Sequence, residues 1–187
     1  VSQIERGKVM PSVGTLYAIT NELGLLIDDV FKDTAPAAVA AAPGRRARQP
    51  GARPAGGPVQ SHQTRRSIRL ASGVRWELLT VEPDDDLDFL YVVYDVGGES
   101  CSEASMVRHG GKEYAYLISG RLGVRIGFKE YELGPGDSIS FDAQLPHRLW
   151  AIGEQPAVAI WAVLNRQGDL RTQAAAFEVR RKRPAKI

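Results

Sequence analysis

Two hydrophobic rhythms divide the chain. Over residues 12–34, Val13, Leu16, Tyr17, Thr20 and Leu23 recur at intervals of three and four. That spacing places side chains on one face of a helix. Ser12, after Pro11, predicts an N-cap whose hydroxyl accepts a free backbone N–H. Gly24 stands one place beyond the last apolar position and predicts a left-handed C-cap. Leu26, Ile27, Val30 and Phe31 predict a second, short helix. So few residues bury too little surface to form a stable domain alone. After residue 66 the rhythm becomes that of strands. Segments 68–71, 74–81, 88–96, 114–119, 122–128, 138–142, 147–152 and 157–164 are rich in Val, Leu, Tyr and Phe, and Gly, Pro or Asp clusters separate most of them. Many short strands at close spacing predict an antiparallel sandwich or barrel.

Between the two regions, residues 35–66 are rich in Ala, Pro, Gly and Arg and carry almost no large apolar side chain. Such a segment cannot offset the entropy of ordering and predicts a flexible linker. The chain thus divides into a helical piece (1–34), a basic linker (35–66), a β domain (67–166) and a basic tail (167–187).

Charge adds a partner to this picture. The linker holds Arg45, Arg46, Arg48, Arg53, Arg65 and Arg66 and no acid, and the tail holds Arg180, Arg181, Lys182, Arg183 and Lys186. Basic ends around a more acidic middle point to a polyanion, usually nucleic acid, although solvated flexible segments share that composition. No apolar run approaches the ~20 residues that span a bilayer, and no basic start leads into an apolar leader. No membrane partner is expected. Cys101 is the single cysteine. It has no internal disulfide partner and no zinc-type spacing, and a reducing cytoplasm is the expected location.

The stretch SQIERGKVMPSVGTLYAITNELG resembles the second half of the five-helix helix-turn-helix domain of the Xre/phage-repressor family. Ser2, Gln3, Ile4, Glu5, Arg6, Gly7, Lys8, Pro11, Ser12, Leu16, Leu23 and Gly24 carry the resemblance. It implies that residues 1–6 end a recognition helix, so that the chain begins partway through an all-α DNA-binding domain. On that reading Gln3 reaches a base edge, Arg6 and Lys8 lie along the phosphate backbone, and Ser12 offers a helix N-terminus to a phosphate. Ile4 faces the core and Glu5 braces the domain. Recognition helices read bases mainly with their N-terminal residues. The piece as it stands is therefore not expected to form a working DNA-binding domain.

Residues 97–151 resemble the two motifs of the cupin superfamily. His109 is followed by Glu113 and Gly120, and Gly136-Asp137 by Pro146 and His147. The resemblance implies a mainly β fold, an antiparallel cupin (jelly-roll) barrel preceded by the incomplete helix-turn-helix domain. Side chains alternate along a strand, so His109 and Glu113 can share an inner face, with His147 opening a nearby strand. Two imidazoles and one carboxylate are the donor set of a facial metal triad. The family's first motif histidine is Val107 here and its second-motif asparagine is Ala151. A three-ligand site for one divalent ion (His109, Glu113, His147) stands beside a second reading. There the same three residues form a polar cluster that binds a ligand directly. Ala115 and Leu117 continue the face of Glu113, and Leu149 that of His147, which makes Leu117 and Leu149 pocket candidates. Trp161 is a candidate wall, Trp76 and Trp150 core or interface residues, and Asp84, Asp85, Asp86 and Asp88 a solvated loop.

Together the resemblances imply a transcriptional regulator rather than an enzyme. A small-molecule effector binds the cupin, a homodimer forms through it, and operator DNA is the partner of the complete protein. One divalent ion is the sole cofactor implied. Two alternatives remain open. One is a metal-dependent cupin enzyme, a dioxygenase or isomerase. The other is a truncated cupin that binds ligand without binding DNA. Neither effector nor operator is legible.

Overall fold

The computed structural model describes residues 4, 6, 9–32, 34 and 57–165. The expected helix forms as α1, Val13–Leu23. Ser12 caps it, its Oγ accepting from the Thr15 backbone N–H at 3.2 Å, and Gly24 ends it at φ 63°. The second helix, α2, is a single turn, Ile27–Val30. Val13, Leu16, Tyr17 and Thr20 are buried as their spacing predicts, but Leu23 is 65% exposed. The buried face of α1 thus ends at Thr20.

Among the described residues nine strands follow: β1 (Ser67–Leu70), β2 (Val74–Leu78), β3 (Leu87–Tyr94), β4 (Lys112–Ser119), β5 (Leu122–Ile126), β6 (Lys129–Leu133), β7 (Ser138–Asp142), β8 (His147–Ala151) and β9 (Ala157–Leu164). They pair antiparallel in two sheets, ordered β1-β2-β3-β9-β4-β7 and β6-β5-β8. The expected barrel is thus not closed by hydrogen bonds. Among the described residues, the bridges Val107↔His147 and Glu99↔Trp150 extend β8 beyond the small sheet. β6 was not foreseen. Its residues KEYEL are exposed except for Leu133. An edge strand with one covered position shows no alternation, and its charges suit an unpaired edge.

Alternation sets the interior. Leu90 and Val92 of β3, Glu113, Ala115 and Leu117 of β4, and Ala157, Ala159, Trp161 and Val163 of β9 are all buried, facing His147, Leu149 and Ala151 of β8. Small alanines on β4 and β9 leave room for the larger groups beside them. Gly120 makes the turn after β4 at φ 77°, where a Cβ would meet the Pro156 carbonyl at 2.2 Å. That close approach, more than the dihedral, requires glycine.

The helices and the β domain share one apolar core. The Ala71 N–H donates to the Pro11 carbonyl at 2.9 Å, tying the start of the helical piece to the turn between β1 and β2. The end of the expected linker is already part of the sheet. Arg65 pairs with Glu77 at 3.3 Å, and the Leu78 N–H donates to the Arg66 carbonyl at 3.0 Å. Residues 35–56 and the basic tail lie outside the described residues. Among the described residues no helix is long and apolar enough to cross a membrane.

Candidate functional site

Glu113 points inward from β4, between Phe141 of β7 and Val163 of β9 in register. His109 precedes β4 and is anchored by its backbone N–H on the Ala143 carbonyl at 3.1 Å. His147 opens β8, exchanging two 2.9 Å backbone hydrogen bonds with Val107. All three side chains are buried. Glu113 Oε1 lies 2.8 Å from His109 Nε2 and 3.1 Å from His147 Nε2. Its other oxygen accepts from the Trp161 indole N–H at 2.8 Å. The carboxylate is therefore divided. One oxygen is held by β9 and the other faces both imidazoles.

The far sides of the two rings are fixed alike. His109 Nδ1 lies 2.9 Å from the Gly110 carbonyl and His147 Nδ1 2.9 Å from the Leu145 carbonyl. A carbonyl only accepts, so each Nδ1 carries a proton. In the neutral ring this turns the Nε2 lone pair towards Glu113. His109 Nε2, despite its 2.8 Å approach, makes no well-directed hydrogen bond.

Three electron-pair donors thus converge, one atom from each residue, all within 4.8 Å of one another. Ligands ~2.1 Å from a metal and at right angles to one another lie ~3 Å apart, close to the two separations from Glu113. Imidazoles braced by backbone carbonyls and a carboxylate braced by an indole are the usual outer support of such ligands. The residues fit a divalent ion.

Without an ion, protons take its part. Burial pushes the Glu113 carboxyl up, but the two imidazoles of His109 and His147 that face it outweigh burial and bring the pKa to about 2. Burial pulls His147 down, yet the hydrogen bond and charge of Glu113, helped by the Leu145 carbonyl, hold it above its ordinary 6.5. The signs are opposite. Glu113 contributes stability that is present above its ordinary 4.5 and lost as pH falls towards 2. His147 contributes stability that is present below 6.5 and lost as pH rises through its raised folded value. Metal-free protein is therefore expected to be most stable between about pH 4.5 and 6.5, as urea midpoints across pH would show. A profile that stays flat below pH 4.5 and above pH 6.5 would contradict the shared proton.

A residue from outside the β domain closes the site. The Tyr17 ring of α1 stacks on His109, with centroids 4.0 Å apart and planes 19° from parallel. Its edge meets Trp76 at 5.7 Å. Such contacts add about 0.5–1.5 kcal/mol each beyond the area they bury. What remains is a cavity of ≈ 20 Å³ between Val13, Tyr17, Trp76, Tyr94, Val107 and Leu149 and the Glu113–His147 pair. That is room for about one water or an ion. Burial, then the charges of Glu113 and Cys101, raise Tyr94 well above the ordinary phenol range, so it faces the cavity as a neutral group.

The structure brings together His109, Glu113 and His147 as expected, with Leu149 and Trp161 beside them. Leu117 is fully buried but does not line the cavity. Trp76 does line it. Trp150 lies away from it, under the Arg148 guanidinium at 4.8 Å. Asp84, Asp85 and Asp86 are exposed, as a solvated loop requires. Asp88 is not part of that loop, because it sits inside β3 and is buried. Of the expected DNA contacts, Arg6 is exposed and Ser12 caps α1. Gln3 and Lys8 lie outside the described residues. Sequence reasoning missed Tyr17 and Tyr94 as site residues. Periodicity marks a buried face without saying which surface covers it.

Two facing antiparallel sheets around a buried His/Glu/His cluster define the class. Residues 90–163 match the family described as "Cupin domain", and the chain carries a cupin domain. Among curated proteins none matches. An RmlC-like cupin from Shewanella frigidimarina is similar at 15% identity and TM-score 0.51, over 60% of this chain and 94% of that one. An HTH_3 family transcriptional regulator from Vibrio cholerae is similar at 18% identity and TM-score 0.52, over 87% of this chain and 77% of that one. A hydroxypropylphosphonic acid epoxidase from S. wedmorenis is similar at 20% identity over 57% of this chain and 58% of that one, but its TM-score of 0.47 carries no argument.

Proposed function

We propose that this chain is the sensing part of a DNA-binding transcriptional regulator, with a small-molecule effector received at the His109–Glu113–His147 site. One observation carries the reading. The helix that resembles part of a DNA-binding domain is packed directly over that site, with Tyr17 on His109. A cavity of only ≈ 20 Å³ suits a state that waits for a ligand better than one that turns substrate over. The likeness to the V. cholerae regulator, which extends over 87% of this chain, supports the same order of parts. Residues 1–34 belong on this reading to the DNA-binding domain and 35–66 largely to a linker. Two copies joined through their cupins present two such domains to a palindromic operator.

His109, Glu113 and His147 would hold a divalent ion, which would supply a Lewis-acidic centre with positions open to an effector's oxygen or nitrogen atoms. Trp161 then acts as the brace of Glu113. Trp161→Phe is expected to weaken Co(II) binding about 10–100-fold while the β domain still folds, as titration of the cobalt absorption bands would read. Unchanged affinity would remove Trp161 from the site.

The two-histidine, one-carboxylate set also favours a second reading, a metal-dependent enzyme. The deciding experiment is selection from a random duplex pool by protein expressed from the whole gene. Enrichment of an inverted repeat, released by a compound that raises the melting temperature, would uphold the sensor. No enrichment, together with metal-dependent turnover abolished by His147→Ala, would replace it with the enzyme.

A further inference from the structure

The mouth of the β domain and the buried face of α1 are made for each other. Gly14 lies so close to the domain that a Cβ there would meet Val107 Cγ2 at 3.1 Å, and the Gly14 N–H donates to the Ser100 carbonyl at 3.4 Å. Val13 and Tyr17 of α1 line the cavity together with Trp76 and Tyr94 of the β domain. The ring of Tyr17 covers the face of His109, one of the three groups that converge on the ligand position. The cavity bordered by Glu113 and His147 has ≈ 20 Å³, room for a water-sized group. A molecule of several non-hydrogen atoms has no room there while Tyr17 stays.

We infer that α1 is a plug for this site, and that an organic ligand on the site and α1 in its docked position exclude each other. The inference rests on the sensor reading above and adds its regulation. The effector acts by displacing the helix that resembles part of the DNA-binding domain. Binding free energy is then spent on an internal equilibrium, which is what a ligand needs in order to switch a protein. The Val107 position supports the same view. Where the cupin motif carries a histidine, this chain carries a buried apolar side chain that contacts the helix at Gly14. The surface has been fitted to α1 rather than to a fourth ligand.

Two variants open the plug without touching the three convergent side chains. Gly14→Leu puts a good helix former into α1 but drives the helix off Val107. Tyr17→Ala removes the stack and serves if the first variant fails to fold. The full chain is loaded with Co(II), acetohydroxamate is added as a bidentate probe, and amide exchange is followed over residues 13–23. Cobalt alone is expected to leave that exchange unchanged. The hydroxamate is expected to raise it at least ~10-fold, since exchange reports local opening. Gly14→Leu should bind the hydroxamate at least ~10-fold more tightly, because a helix already displaced no longer competes. Hydroxamate binding with no change in exchange would overturn the plug and leave the metal site standing. Binding to neither wild type nor variant would also overturn it, whereas binding to the variant alone would uphold it. If cobalt does not bind, the metal reading fails separately. The plug is then judged in metal-free protein by diethyl pyrocarbonate modification of His109 and His147. A rate at least ~10-fold higher in Gly14→Leu upholds it and equal rates overturn it.

Discussion

Replacing Glu113 with alanine is expected to abolish divalent-metal binding and to destabilise the metal-free protein by about 3–5 kcal/mol. One side chain serves three buried partners. They are Trp161 Nε1 at 2.8 Å, His109 Nε2 at 2.8 Å and His147 Nε2 at 3.1 Å. Its loss leaves the indole N–H without an acceptor, at a cost of about 1–3 kcal/mol. It also strands the proton that Glu113 holds on His147. Denaturant unfolding measures the first effect and cobalt titration the second. Glu113→Gln separates them. The amide oxygen can still accept from Trp161, so much of the stability should return, but the anionic donor is gone and cobalt binding should not recover. An alanine variant as stable as wild type and still binding cobalt would mean that the cluster is neither a structural nor a ligand-holding centre.

The three residues of this cluster were legible for a physical reason. A buried cluster of two imidazoles and a carboxylate requires fixed residue types at fixed turns and strand positions, and such constraints leave a trace in linear order. His109 sits on the approach to β4 and Glu113 within it, and His147 opens β8. The glycines that make the turns, Gly120 and Gly136, mark where those strands stop and start. The strands themselves were legible wherever one face is covered and the other is not. β6 escaped because only Leu133 of its five residues is buried. Asp88 was misread because it follows three exposed aspartates, although its place in β3 buries it. Two features depended on contacts between distant segments and left no local sign. One is the break of the expected barrel into two sheets. The other is the use of Tyr17 as a cover for His109. Tyr17 was visible as part of an apolar stripe. A stripe of four positions packs equally well against a neighbouring helix or a sheet mouth, so its partner was not.

Phe31→Ala tests whether the helical piece can leave that mouth by itself. Phe31 closes α2 and is fully buried, as is Ile27 one turn before it. Truncating a buried phenylalanine costs about 3–5 kcal/mol through lost transfer energy and the cavity left behind. The cost falls first on whatever opens most cheaply. α1 and α2 meet the β domain through side chains and a few backbone bonds, whereas the strands are held by continuous ladders. The expected result is therefore local. Amide protection over residues 13–31 should fall by roughly 10²–10⁴, the equivalent of that cost at ~1.4 kcal/mol per decade, while β3, β4 and β9 keep most of theirs. Hydrogen exchange resolved by segment measures both in one experiment. A parallel loss of protection in β9 would show that the helices unfold only with the domain. A plug that opens only when the whole protein unfolds could not respond to a ligand, so the same measurement sets the energetic limit on any switching through α1.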